Sequence, residues 1–119
     1  MKGFRIAVIF LLMFSTFIKA GITISEYETN YKGKDIDFFN TYLIGLKEGI
    51  NILNEYNNLY NLQITYCQPR QLSLNWKNCK LIIDEQIELQ KTNLNYDPDV
   101  LTVSAVLLYG LIRTFPCED

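Results

Sequence analysis

Apolar side chains recur with the period of an α-helix in three long stretches of this chain, and this pattern limits its fold more than any other feature. In the first stretch they follow steps of four, three, four and three residues: Phe39, Leu43, Leu46, Ile50 and Leu53. Such spacing places the side chains on one helical face. The chain is therefore predicted to be all-α, a small disulfide-stapled helical bundle. Its expected elements are three long helices at 35–57, 73–91 and 97–114 and a short helix at 25–30.

Polar residues mark where each long helix should begin. Asp35 and Ser73 stand just before the first and second periodic stretches, where a side-chain oxygen can cap a helix. The third start carries the strongest signal, with Asp97 as the cap, Pro98 at the first helical position and Asp99 in the first turn. We therefore expect the third helix to begin at Asp97.

Two glycines, Gly45 and Gly49, lie four residues apart in the first long helix. Each costs up to about 1 kcal/mol of helix propensity relative to alanine. One interpretation is that another helix packs close to the backbone there, and this is the one we favour. The other is a locally weak helix that packing elsewhere holds together.

The first twenty residues have the layout of an export signal. Lys2 and Arg5 precede an apolar run at 6–17, and Ala20 and Gly21 supply the small residues of a cleavage site. The apolar run is shorter than the roughly 20 residues that cross a bilayer. We therefore expect residues 1–20 to be a cleaved signal peptide, residues 21–119 to be a single helical domain, and the product to be periplasmic, with no membrane attachment after cleavage.

The charge balance limits the class of partner. The whole chain carries a net charge of −2, and removing Lys2, Arg5 and Lys19 leaves eight basic against thirteen acidic residues, a net charge of −5. Nucleic acids and anionic membranes select basic surfaces. The sequence therefore predicts no nucleic-acid partner.

The sequence offers little for catalysis. It contains no histidine, which removes the commonest general base and metal ligand and every Ser-His or Cys-His pair. The acidic groups Asp84, Glu85 and Glu88 are expected on the polar side of a helix, and Asp97 and Asp99 at a helix start. We expect no enzymatic activity, no cofactor and no metal site.

Three cysteines leave one of them unpaired. Cys67 precedes the second helix and Cys117 follows the last, so a bridge between them would fasten the end of the chain to a loop between helices. We favour this Cys67–Cys117 disulfide because of the terminal position of Cys117, with Cys79 as a buried free thiol. The alternatives are a Cys67–Cys79 bridge and a Cys79 bridge between subunits.

The order of these motifs resembles the Rap1a family of type VI secretion immunity proteins. It runs from Tyr42-Leu43-Ile44-Gly45 with Gly49, through Cys67-Gln68-Pro69 and the Asp97-Pro98 start, to Phe115-Pro116-Cys117. The resemblance implies a small helical, disulfide-containing periplasmic protein, commonly a homodimer. Such a protein binds and blocks a peptidoglycan-cleaving amidase effector that sister cells deliver. Many members carry a cysteine where this chain has Phe39, and Cys79 has no counterpart in the family pattern.

If the protein is such an inhibitor, the segment from Asn57 to Tyr66 is the best candidate for contact with the amidase. Tyr60 and Tyr66 would be its amphipathic anchors. The predicted contact residues are Asn57, Asn58, Tyr60, Asn61, Gln63 and Tyr66. The competing interpretation is that the two tyrosines cover the core beneath a long loop.

A different class of function fits the same composition. A small periplasmic acid-stress chaperone would also be helical and disulfide-bonded. Without histidine, only carboxylates could sense acid, so its switch would operate near pH 4 or below.

Overall fold

The computed structural model describes residues 21–118, and it contains four α-helices in this range. They are α1 (Ile24–Asn30), α2 (Asp37–Leu59), α3 (Trp76–Gln90) and α4 (Val103–Thr114). No strand forms between residues 21 and 118; the only extended pairing there is an isolated antiparallel bridge between Thr23 and Thr102. The predicted all-α class is confirmed. The predicted signal peptide, residues 1–20, lies outside the described residues.

The first two long helices begin two to three residues later than predicted. Asp35 does not cap α2; its Oδ1 accepts a hydrogen bond from Asn40 Nδ2 at 2.6 Å, and the helix starts after Ile36 without a side-chain cap. For α3, the cap is Asn75 instead of Ser73. Asn75 Oδ1 accepts from the Asn78 backbone N–H at 2.9 Å, and Asn78 Oδ1 accepts from the Asn75 N–H at 3.1 Å. This reciprocal pair satisfies two donors that a single serine could not.

The predicted start of the third long helix at Asp97 is wrong. α4 begins at Val103, and its cap is Thr102, whose hydroxyl accepts from the Ala105 N–H at 3.3 Å. Residues 97–101 form a separate turn because α1 takes their carbonyls: Pro98 accepts from the Ser25 N–H and Leu101 from the Ile24 N–H, each at 2.9 Å. A helix starting at Asp97 would have to use those carbonyls internally.

Because of this shift, Val100 lies in the separate turn and is 73% exposed. The turn is also fastened to α1 through side chains, since the Ser25 hydroxyl donates to Asp99 Oδ1 at 2.5 Å. Asp99 therefore fastens the turn to α1, while Asp97 Oδ1 accepts from the Asp99 N–H at 3.0 Å within the turn, and neither opens a helix.

The core joins all four helices and the segment before α3. α4 supplies four buried apolar side chains, those of Val103, Val106, Leu107 and Leu111, which agrees with its strongly apolar sequence. Their partners in the core are Ile24, Tyr27, Phe39, Leu43, Tyr66, Cys79, Ile82, Ile83 and Ile87. Burying a side chain of this size stabilises a fold by about 1.5–3 kcal/mol relative to leaving it exposed.

The close helix approach is at Gly110 and not at Gly45 or Gly49. A Cβ built at Gly45 or Gly49 meets no heavy atom within 4 Å, so, contrary to the prediction, no helix of the described chain packs against the backbone at these positions. A Cβ at Gly110 would lie 2.4 Å from Ile82 Cγ2 and 3.3 Å from the Ile82 carbonyl oxygen. The absence of a side chain at Gly110 is therefore what lets α4 pack against α3.

A buried polar contact ties α1 to α3. The Tyr27 side chain is fully buried, and its hydroxyl donates to Asp84 Oδ1 at 2.5 Å. Burial and the Asp84 carboxylate raise the pKa of Tyr27 far above its ordinary range. The hydroxyl therefore stays protonated in the folded protein under all ordinary conditions.

Gly110→Ala is expected to destabilise the protein by about 1–3 kcal/mol, because the added methyl group has no space against the β-branched Ile82. The matched control is Gly49→Ala, whose methyl group meets no neighbour and should stabilise α2 by about 0.5–1 kcal/mol. Urea unfolding of both variants measures the difference. Equal effects of the two substitutions would contradict the close α3–α4 approach.

Tyr27→Phe is expected to lower the free energy of unfolding at neutral pH by about 1.5–3 kcal/mol, because a hydrogen bond to a carboxylate is lost. An unfolded tyrosine ionises near pH 10, whereas folded Tyr27 keeps its proton. The native state therefore binds more protons above that pH, and stability falls as pH rises. In the Tyr27→Phe variant, the free energy of unfolding should therefore decrease less between neutral and strongly alkaline pH than in the unsubstituted protein.

The control for this comparison is Tyr109→Phe, which removes the hydroxyl of an exposed tyrosine on α4. Its stability and its pH dependence should match those of the unsubstituted protein. Denaturant unfolding at the two pH values distinguishes the variants, and an unchanged alkaline slope in Tyr27→Phe would contradict the assigned role of Asp84.

Candidate partner-binding site

The C-terminal part of α2 extends past the helices that could cover it. Its 23 residues span about 35 Å, against about 22 Å for the 15 residues of α3 and about 18 Å for the 12 residues of α4. Leu53, which the helical period placed on the apolar face of this helix, is instead 63% exposed, and Tyr56 beyond it is also exposed. The expected burial of Leu53 is wrong because no neighbouring helix reaches it.

A second group of exposed apolar residues continues from there to the end of the helix. We call Tyr56, Leu59, Tyr60 and Leu62 the tip surface; all four are exposed, and the rings of Tyr56 and Tyr60 lie 4.7 Å apart. The segment 56–66 around them contains no charged residue. The tip surface is therefore apolar and aromatic, with side-chain amides beside it.

A defined helix ending fixes the shape of the tip. Asn61 adopts a left-handed conformation with φ of 55°, the Leu62 N–H donates to the Asn57 carbonyl at 2.7 Å, and the Asn61 N–H donates to the Asn58 carbonyl at 3.3 Å. These two bonds form a Schellman motif, and asparagine is among the few residues that tolerate its left-handed position. The chain therefore reverses at the tip in one defined geometry.

The returning chain is bound to α2 by side-chain amides. Asn54 Nδ2 donates to the Tyr66 carbonyl at 2.8 Å, and Asn54 Oδ1 accepts from the Thr65 N–H at 2.9 Å. One turn earlier, Asn51 Oδ1 accepts a hydrogen bond from the Tyr66 hydroxyl. The two asparagines thus take the place of a neighbouring strand and hold residues 65–66 against the helix.

A buried lysine completes this attachment. Lys47 is only 4% exposed, and its Nζ donates to Gln68 Oε1 at 2.7 Å and to Asn51 Oδ1, and lies 5.3 Å from the centre of the Tyr66 ring. Burial lowers the pKa of Lys47 below its ordinary value, while the nearby Cys79 acts in the opposite direction. A cation in this position organises neutral oxygens and an aromatic face around itself.

The structure contains the expected disulfide. Cys67 and Cys117 are bonded across a separation of 50 residues, and the Cys67 N–H also donates to the Phe115 carbonyl at 2.8 Å. Cys79 is free and buried, and burial raises the pKa of its thiol. The alternative bridge between Cys67 and Cys79 is wrong. A buried thiol whose pKa is raised is a weak nucleophile, so the geometry assigns Cys79 to packing.

The predicted contact residues divide into three groups. Exposed side chains, which a partner could reach, belong to Asn58, Tyr60, Asn61 and Gln63. Asn57 is half-buried. Tyr66 is 1% exposed, and burial together with Glu55 and Cys79 raises its pKa to about 12. Its predicted role as a contact anchor is wrong, because its ring fills the core and its hydroxyl is held by Asn51.

A second exposed apolar feature lies at the other end of α2. A shallow groove of about 630 Å³ is lined by Asp37, Phe38, Thr41, Tyr42, Gly45 and Leu46, and we call it the Phe38 groove. Gly45 forms part of its floor, with open space where a side chain would stand. The glycine that was expected to pack against a helix therefore faces outward.

The carboxylates that could have been acid–base candidates serve structural contacts. Asp84 accepts from Tyr27, Glu85 lies 3.2 Å from Arg113 Nη2, and Glu88 lies 3.0 Å from Lys91 Nζ. Among residues 21–118 there is no cluster of three or more His, Cys, Asp or Glu residues suited to a metal ion. Within the same range, no helix combines the length and apolarity of a membrane span.

Sequence reasoning missed the tip residues Tyr56, Leu59 and Leu62, and it missed the burial of Lys47 and Lys80. One signal was available for the tip. The first long helix was predicted at 35–57, which is 23 residues, against 19 residues for 73–91 and 18 for 97–114, so an overhang was foreseeable. Nothing in the sequence marks the lysines, since distant segments supply part of their surroundings: the Tyr31 carbonyl and the Phe39 ring for Lys80, and Gln68 and the Tyr66 ring for Lys47.

Comparisons of the sequence and the structure with known proteins give no support for any family. No protein-family model matches the chain, and neither a curated protein nor a solved structure matches it. The geometry of the tip surface and its supports is therefore the feature of this chain that bears most directly on function.

Proposed function

We propose that this protein is a periplasmic immunity protein that binds a type VI secretion peptidoglycan amidase and blocks its substrate cleft. In this proposal the described helices belong to a small disulfide-stapled bundle. The observation that carries it is the tip surface: exposed tyrosines and leucines on an uncharged segment, held in one shape by the helix ending and by Asn54.

The chemistry of the tip surface suits a protein partner. The central parts of protein interfaces are depleted in charge and enriched in aromatic residues, and tyrosine supplies contact area at a low cost in side-chain entropy. Asn58, Asn61 and Gln63 are exposed beside Tyr60 and offer hydrogen bonds around the apolar centre. A protruding surface of this kind fits a concave site such as a substrate cleft.

Rigidity supports inhibition by steric blocking. The tip is fixed before binding, because the Schellman motif and the Asn54 contacts order the chain on both sides of Leu62. A preorganised surface loses less conformational entropy when it binds, which favours the tight association that an inhibitor needs.

The disulfide supports an extracytoplasmic location. Bridges such as Cys67–Cys117 form and persist in oxidising compartments, including the bacterial periplasm. In the chain-entropy description, closing 50 residues stabilises the protein by about 4 kcal/mol. Together with the export signal predicted at 1–20, this favours the periplasm as the site of action.

We also propose that the protein is a homodimer, with the Phe38 groove as the contact between copies. Phe38 is largely exposed, and the open backbone at Gly45 would allow a second helix to approach. The contact lies at the opposite end of α2 from the tip surface, so each copy would keep its tip free for a partner.

Tyr60→Ala is expected to weaken binding to a co-encoded peptidoglycan amidase by about 30-fold from a nanomolar affinity, because removing a central aromatic anchor costs about 2 kcal/mol or more. Titration calorimetry or biolayer interferometry measures the affinity, and circular dichroism verifies that the helices persist. The unsubstituted protein should show no hydrolytic activity of its own.

The matched control is Tyr109→Ala, which removes an exposed tyrosine from α4, away from the tip surface, and should leave the affinity unchanged. If folded Tyr60→Ala binds as tightly as the control, the tip is not the contact. If no amidase binds and the protein instead suppresses aggregation of client proteins at about pH 2–3, the acid-stress chaperone is the correct function.

Phe38→Glu is expected to convert the proposed dimer into a monomer, because a charge placed in an apolar contact remains unpaired. Sedimentation velocity compares it with Leu81→Glu, which makes the same kind of change at an exposed apolar residue of α3. A monomeric unsubstituted protein would reject the dimer, and equal dissociation in both variants would reject the Phe38 groove as its site.

A further inference from the structure

A groove runs between the C-terminal half of α2 and the chain that returns from the tip. Its volume is about 570 Å³, and residues 64–72 form the wall opposite the helix. The helix side presents Asn51, Asn54, Glu55 and Asn58, and Arg70 is in the opposite wall. We call it the loop groove. Its size falls within the range of small-ligand sites, and it is lined largely by polar groups.

Asn54 shows how this helix face recognises a main chain. Its amide donates to one backbone carbonyl and accepts from one backbone N–H of the segment 65–66. Asn58 stands one turn further along the same face, and its side-chain amide has no hydrogen-bond partner among residues 21–118. Asn58 therefore offers to a ligand the same donor and acceptor that Asn54 uses within the protein.

Two opposite charges in the loop groove are also without partners. Glu55 and Arg70 both line it, yet neither forms an ion pair with any group in the described part of the chain. The Glu55 carboxylate lies near enough to the groove floor to contribute to the raised pKa of Tyr66. An unpaired carboxylate and an unpaired guanidinium in one groove match a ligand that carries both an ammonium and a carboxylate group.

We propose that the loop groove binds a short peptide with free termini. Glu55 pairs with the terminal ammonium, Arg70 pairs with the terminal carboxylate, and Asn58 holds the peptide bond between them. An extended tripeptide is about 10 Å long, and the groove volume accommodates it. This site lies beside the tip surface but does not depend on the amidase, so the two proposals can be tested separately.

The test is an NMR titration of the ¹⁵N-labelled protein with trialanine. Saturable shifts are expected at the side-chain amides of Asn51 and Asn58 and at the backbone of residues 64–72, with a dissociation constant of about 1 mM or below. Trialanine with acetylated and amidated ends should bind at least about tenfold more weakly, because both terminal charges are lost. Free alanine should also bind more weakly, since it lacks a peptide bond for Asn58.

Three variants assign the contacts. Glu55→Gln and Arg70→Gln should each weaken trialanine binding about fivefold or more, because each removes one charge–charge contact. The matched control, Glu48→Gln, neutralises an exposed acidic residue of α2 outside the groove and should have no effect. All three changes are at exposed positions, so folding should be preserved.

The absence of saturable shifts with trialanine would overturn the proposal. It would also be overturned by equal binding of the capped peptide, or by shifts that persist unchanged in both Glu55→Gln and Arg70→Gln. Alanine binding as tightly as trialanine would exclude a peptide as the ligand. None of these results bears on the affinity for an amidase, which Tyr60→Ala measures.

Discussion

The attachment of the returning chain to α2 is the constraint on which the rest of the structure depends. After the reversal at Asn61, residues 65–68 are bound by Asn54, Asn51 and Lys47, and Cys67 then fixes the end of the chain through its disulfide. This line of contacts connects the tip, the core through Tyr66 and the end of α4 through Phe115. Without it, α2 would have an overhanging end with nothing to hold its exposed face in position.

Buried cations in this protein are satisfied by neutral groups. Lys80 is buried like Lys47, and its Nζ donates to the Tyr31 carbonyl at 3.1 Å and to the Lys34 carbonyl, between the rings of Phe39 and Trp76. Carbonyl oxygens and aromatic faces replace the carboxylate that usually accompanies a buried charge. Each lysine closes a chain reversal, Lys80 the one after α1 and Lys47 the one after the tip.

The helical spacing of apolar side chains predicted which segments are helical, because burial of an apolar face dominates helix formation in a small protein. It could not place the start of α4, since the carbonyls of Pro98 and Leu101 are used by a segment 70 or more residues away in sequence. The same dependence on residues that are distant in sequence explains why the burial of the two tyrosines could not be predicted. Tyr60 and Tyr66 look alike in the sequence, and contacts with Asn51 and Asn54 of α2 hold Tyr66 in the core. The spacing of apolar residues in the sequence likewise does not distinguish Gly110, which lies against a neighbouring helix, from Gly45 and Gly49, which do not.

The docking of residues 22–25 makes the start of α4 depend on the first described residues of the chain. The Ile22 carbonyl accepts the Val103 N–H at 2.8 Å, and Ile24 and Ser25 donate to the turn before α4. The first turn of an α-helix leaves backbone N–H groups without a partner inside the helix, and for α4 one of them is satisfied from the other end of the described chain. A substitution that displaces residues 22–25 would therefore disturb the start of α4 as well as α1.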